Sequence, residues 1–212
     1  MLPALFAAFC LGFLVGWWLR DKGPPLPALV QAPPLSANER ADAPRPPEAP
    51  TATAGAASSA AAASSAIDAL RDRRLRVPID GAKAELWKGA FEERRDGRAH
   101  EAVDILAPRN TPIRAVDDGE VAKLFDSKAG GHTIYQFDPT GRFCYYYAHL
   151  ERYADGLADG KHVSRGDVIG YVGTSGNAPP GTPHLHFTIF ELTDARRWWQ
   201  GRAIDPYLVF RR

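Results

Sequence analysis

Two histidines one residue apart, His184 and His186, lie in an otherwise apolar run that begins at Pro183 and continues through Ile189. In an extended strand, side chains i and i+2 project from the same face. The pair therefore presents two imidazoles together, while Leu185 and Phe187 point into whatever core lies beneath. Adjacent imidazoles suit either a metal site or an acid–base pair, and the choice depends on what else in the chain can join them. Of the four other histidines, His132 follows Gly130-Gly131 and His162 sits beside Lys161 in a polar turn, so both are expected to face solvent. His149 closes the aromatic run Tyr145-Tyr146-Tyr147-Ala148, where a half-exposed polar cap is the plain alternative to a functional role.

His100 and Asp104 are four residues apart. On a helix they would share a face. In a straight strand they would lie about 13 Å apart, too far to share one ion. If the segment is β structure, His100 has to come from a bend or loop leading into the strand that carries Asp104; a surface ion pair is the competing reading. The His-Glu pair at 100–101 is not a zincin motif, because Asp104 stands where the second histidine would be. Neither Gly-x-Gly-x-x-Gly between a strand and a helix nor Gly-Lys-Ser/Thr occurs, so the glycines of residues 164–173 read as structural turns.

The elements that must position these residues are mostly strands. Runs at 113–116, 120–124, 133–137, 143–148, 168–172 and 185–190 are separated by turn formers such as Asp138-Pro139-Thr140-Gly141. Short strands at that spacing predict an all-β domain with a mainly antiparallel sheet over residues 67–212, opened by a short helical lead-in at 67–74. Before it, residues 23–66 are rich in proline and alanine and poor in large apolar side chains, so they read as a disordered linker. Residues 2–19 are apolar and uncharged, long enough at ~1.5 Å per residue to cross a hydrocarbon core. With Trp17 and Trp18 at one end and no basic leader or small-x-small cleavage site, residues 1–22 read as an uncleaved transmembrane anchor. The net charge of +1 gives no argument for nucleic acid as a partner. Cys10 and Cys144 are not expected to pair, and no Cys-x-x-Cys is present to bind zinc through thiolates.

Taken in order, His-x-x-x-Asp, Tyr-x-His-Leu and His-Leu-His-Phe resemble the pattern of the lysostaphin/LytM-type zinc metallopeptidases, which cut peptide cross-links in bacterial cell walls. The resemblance extends through Asp104-Ile105-Leu106-Ala107-Pro108, Thr111-Pro112-Ile113, Asp118-Gly119-Glu120-Val121, Val163-Ser164-Arg165-Gly166-Asp167, Gly173-Thr174-Ser175-Gly176-Asn177 and Ile204-Asp205-Pro206. It implies a LytM-like β domain and one Zn2+ bound by His100, Asp104 and His186, with His149 and His184 as the two non-ligand histidines of the catalytic centre. Ala102 departs from the glycine often found between the first two ligands, which is expected to affect the bend leading into the strand without removing a ligand. Two nitrogens and a carboxylate leave a fourth zinc position open, as catalytic sites do. The function implied is a zinc endopeptidase acting on peptidoglycan stem peptides, of D,D type. The alternative is a non-catalytic LytM-like regulator that activates a cell-wall amidase, with division proteins as partners. Such a substrate places the domain outside the cytoplasmic membrane, in the periplasm, against the orientation that Arg20 and Lys22 suggest. Trp198 and Trp199 are open to two readings, lining a substrate groove or covering the sheet.

Overall fold

The computed structural model describes residues 56–95, 97–194 and 196–211. The expected anchor at 1–22 and the part of the expected linker at 23–55 lie outside them. Among the described residues no helix is long and apolar enough to cross a membrane.

Helix α1 (Ala56–Asp72) opens the described chain. Its alanines are the strongest helix formers, and Ala66 and Leu70, one turn apart, are fully buried in the core. The domain boundary expected between 66 and 67 therefore falls inside a helix: alanine-rich sequence that can form no core of its own becomes ordered when its C-terminal turns dock. The Arg71 side chain donates from Nε to the Leu208 carbonyl at 3.0 Å. That carbonyl lies in the terminal helix α2 (Pro206–Phe210).

Between the helices come a 3-10 turn (Ala84–Trp87), a small hairpin of β1 (Arg94–Arg95) and β2 (Arg98–Ala99), and a nine-stranded antiparallel sheet. Its strands are β3 (Val103–Leu106), β4 (Pro112–Arg114), β5 (Gly119–Ser127), β6 (Gly131–Phe137), β7 (Phe143–Tyr153), β8 (His162–Val163), β9 (Val168–Val172), β10 (His184–Leu192) and β11 (Gly201–Ile204). The main path runs β11-β10-β7-β6-β5-β8. His186 and Phe187 pair with both β3 and β7, so β10 lies between those two strands. Strand alternation divides the residues between two faces. Val103, Ile105, Tyr145, Tyr147, Leu185, Phe187 and Ile189 enter the main core, which α1, Trp87 and α2 cover. Each such side chain contributes roughly 1.5–3 kcal/mol on burial. Asp104, Tyr146, Ala148, His184 and His186 occupy the other face, beside a second apolar cluster of Tyr135, Phe137, Cys144, Tyr146 and Phe190. Trp198 packs over that cluster, its ring centroid 4.5 Å from Tyr135 and 5.9 Å from Phe125, so it covers the sheet. Trp199 stands edge-on to it at 5.2 Å and is 36% exposed.

A buried polar network holds β7 from below. The Tyr145 hydroxyl donates to Asp117 Oδ2 at 2.9 Å, and the Tyr147 hydroxyl donates to Gln136 Oε1 at 2.8 Å while accepting from the Val116 N–H at 3.1 Å. Asp117, itself buried, also accepts from Arg73 Nε at 2.7 Å and Arg165 Nη2 at 2.8 Å. Arg73 follows α1 directly, so this carboxylate ties the helix to the sheet. Asp117→Ala strips the acceptor from the Tyr145, Arg73 and Arg165 side chains and from the Asp118 N–H, and is expected to destabilise the domain by about 3 kcal/mol. The measurement is the urea midpoint, which falls with the slope of the transition unchanged.

Candidate functional site

The site is assembled by strand register. His186 on β10 stands opposite Asp104 on β3, and His184 stands opposite Leu106. His100 reaches the same place from the turn between β2 and β3, as its spacing from Asp104 requires. The bend is at Glu101, whose φ of 54° lies in the left-handed region, a conformation costing on the order of 1–2 kcal/mol for a residue with a Cβ. Its backbone is held on both sides: the N–H donates to the Phe91 carbonyl at 2.9 Å, and the carbonyl accepts from Thr188 Oγ1 at 2.6 Å. Ala102 is fully buried and is not among the left-handed residues. The turn is thus made one residue before the position where glycine was expected to matter.

His100 Nε2, Asp104 Oδ1 and His186 Nδ1 are mutually 3.1 Å apart. Ligands at ~2.0–2.1 Å in a tetrahedron lie about 3.3 Å from one another, so the three donor atoms fit a small dication such as zinc. Their chemistry fits as well. His100 Nδ1 faces the Ala90 carbonyl at 3.1 Å and can only donate there, which leaves Nε2 with its lone pair. Burial acts to raise the Asp104 pKa, but the bonded imidazoles of His100 and His186 outweigh it and hold the carboxyl well below the usual range. Burial also lowers the pKa of His186, which favours the neutral ring that a metal needs. The second carboxylate oxygen, Oδ2, accepts from Arg95 Nη1 at 2.6 Å, and Arg95 is braced by Glu93 at 2.8 Å. Arg95 Nη1 also lies 3.1 Å from His100 Nε2.

The remaining two histidines flank this cluster. His184 Nε2 is 3.8 Å from Asp104 Oδ1. The His149 ring centroid is 4.9 Å from that of His184 and 5.6 Å from that of His186. His149 is not at a strand end, as its sequence position suggests, but within β7 at a φ of 62°. The register of β7 against β6 shifts around it, and its N–H leaves the ladder for the Gly130 carbonyl at 2.8 Å. Its Nδ1 donates to the Ser175 carbonyl and that of His184 to the Thr182 carbonyl, each at 2.8 Å. Both rings therefore keep a free Nε2. Burial, assisted by the nearby His186, pushes the His149 pKa down to about 4, so the ring is neutral at pH 7 and its Nε2 carries a lone pair. The Ser175 carbonyl is brought close because Gly131 and Gly176, both at positive φ, pack backbone against backbone where a Cβ would collide.

The structure thus gathers all five singled-out residues, His100, Asp104, His149, His184 and His186, on one face. His132 pairs with Asp126 and His162 is exposed, both away from the cluster. Arg95, Glu93 and Thr188 had no sequence signal: one arginine of a charged stretch nine residues before Asp104 and a strand threonine belong to no pattern. The carbonyls of Ala90, Ser175 and Thr182 are backbone atoms and carry none either.

Residues 98–206 match the model of peptidase family M23. The chain is 36% identical over 115 residues to the L-Ala–D-Glu endopeptidase of Bacillus subtilis, covering 52% of this chain and 34% of that protein. It is 30% identical over 125 residues to the peptidoglycan DD-endopeptidase ShyC of Vibrio cholerae, covering 56% and 27%. It is also 35% identical over 91 residues to the DD-carboxypeptidase/endopeptidase Mpg of Neisseria meningitidis, covering 42% and 20%. The chain thus spans at most about a third of the length of these curated relatives. The family match takes in all five clustered residues, and the chain belongs to peptidase family M23.

Proposed function

We propose that this chain is a zinc-dependent endopeptidase that hydrolyses peptide cross-links of bacterial peptidoglycan, with one zinc ion held by His100, Asp104 and His186. The observation that carries the reading is the set of three donor atoms 3.1 Å apart, flanked by two imidazoles whose Nδ1 atoms are already committed to carbonyls. When bound there, zinc supplies a Lewis acid for the scissile carbonyl and lowers the pKa of water towards ~7. The protein's own residues supply the proton handling. His149, neutral at pH 7, is suited to take a proton at Nε2. His184, beside it, is placed to donate from Nε2 towards the oxyanion or the leaving amine once protonated. Retention of all five residues favours an enzyme over a non-catalytic activator of an amidase.

The D,D cross-link is the bond we favour, supported by the similarity to ShyC and Mpg. The relative from Bacillus subtilis favours a second bond, L-Ala–D-Glu. Both bonds draw their carbonyl from an alanyl residue. The apolar run at 2–19 and the Pro/Ala-rich stretch after it support anchorage at the cytoplasmic membrane, with the domain facing the wall.

Purified chain is expected to clear peptidoglycan in a zymogram, to lose that activity in chelator and to regain it with zinc. Mass spectrometry of digested muropeptides then identifies the bond. Zinc-loaded protein that releases no peptide fragment yet stimulates a separate amidase would overturn the enzyme reading. Asp104→Ala is expected to lose metal outright, whereas His149→Ala keeps it and loses turnover by about 10²–10⁴-fold. Equal metal loss in the two variants refutes the division of roles. Because Arg95 fixes the outer oxygen of Asp104, Arg95→Ala should weaken zinc affinity by about 10-fold or more. Arg95→Lys, which keeps the charge and loses the planar fork, should fall between that variant and the wild type in a zinc titration.

A further inference from the structure

Among the described residues, one large apolar side chain stands uncovered on the site face. Leu106 is 71% exposed, although it lies in β3, whose Val103 and Ile105 are buried in the core. Alternation along the strand puts Leu106 on the same side as Asp104, about 6.7 Å further along. Across the sheet it is paired with His184, and side chains so paired have their Cβ atoms roughly 4.5–5.5 Å apart. The strand end that carries it is pinned, since the Ala107 N–H donates to the Pro183 carbonyl at 3.4 Å. A single exposed leucine elsewhere on a protein needs no explanation. This one borders both a proposed metal ligand and a proposed proton carrier. A peptide laid along β3 with its carbonyl over the donor cluster passes it.

We propose that Leu106 is the wall of a subsite that receives the side chain of the alanyl residue contributing the scissile carbonyl. This rests on the endopeptidase reading above and extends it to side-chain selection. The isobutyl group offers contact to a methyl and nothing to a bare glycyl Cα. Paired across the strands with His184, it offers an apolar flank suited to a small apolar group. The contact exists before and during bond cleavage alike. Its removal therefore weakens ground state and transition state equally and appears in KM rather than in kcat.

The test uses zinc-loaded full-length chain and two defined muropeptides that differ only in alanine or glycine at the carbonyl side of the bond cleaved. Wild type is expected to prefer alanine, and Leu106→Ala to reduce the alanine-to-glycine ratio of kcat/KM by about 10-fold. The loss should reside in the KM for the alanyl substrate, with zinc affinity unchanged, and Leu106→Met should restore most of the preference. Leu86→Ala, at an 80% exposed leucine on the 3-10 turn, is the control and leaves the ratio at the wild-type value. An unaltered ratio in Leu106→Ala, or an equal fall in Leu86→Ala, overturns the subsite while leaving the endopeptidase intact. Failure of wild type to cleave either muropeptide overturns both.

Discussion

The register of β10 between β3 and β7 is the constraint on which the site depends. With His186 opposite Asp104, the same alternation sends Leu185, Phe187 and Ile189 into the main core. A slip of one residue would exchange the two faces. It would move three large apolar side chains into water, each worth roughly 1.5–3 kcal/mol, and carry both histidines into the core. The core therefore enforces the relation between Asp104 and His186. Neither residue needs to stabilise the fold for the pair to be held in place.

Register alone cannot bring in the other two histidines, because they have to leave the regular strand path. Glu101 and His149 both take left-handed backbone conformations, and in each case the cost is offset by directed hydrogen bonds. Thr188 and the Phe91 carbonyl hold Glu101; the carbonyls of Gly130 and Ser175 hold His149. Beneath His149, the hydroxyls of Tyr145 and Tyr147 anchor β7 to Asp117, Gln136 and Val116. The strand bulges at residue 149 directly after this anchored stretch. At the site, the left-handed residues are His149 itself and the neighbour of His100, where a ring has to be turned towards the cluster.

This division explains what could be read from the sequence. The alternation at 184–189 declared its strand and its faces, because burial of alternate side chains leaves a compositional trace; the aromatic run at 143–148, buried on both faces, declared its strand alone. The need for a bend between His100 and Asp104 was also legible, since a straight strand separates them too far. Its location at Glu101 was not: the residue that kinks is chosen by backbone partners, and a glutamate advertises no left-handed preference. The inner placement of His149 was hidden for the same reason. The helix from Ala56 was hidden by composition, since alanine and serine form either a linker or a helix depending on whether the C-terminal turns find a surface to dock on. Ala66 and Leu70 find one.

The two histidines of β10 are alike in sequence and face, and differ in which nitrogen is left free. The Thr182 carbonyl engages Nδ1 of His184, so its Nε2 lies towards Asp104 but at 3.8 Å, outside the triangle of closest donors. His186 instead directs Nδ1 at 3.1 Å into that triangle. A single carbonyl two residues upstream thus separates a histidine suited to hold a metal from one suited to move a proton. Burial lowers the pKa of the His186 ring and so favours its neutral form. The same device, a backbone carbonyl on Nδ1, orients His149. In this chain the ring orientations of His149 and His184 are therefore specified by the loops that cross beside them, at residues 173–177 and 179–183, as much as by the strands that bear them.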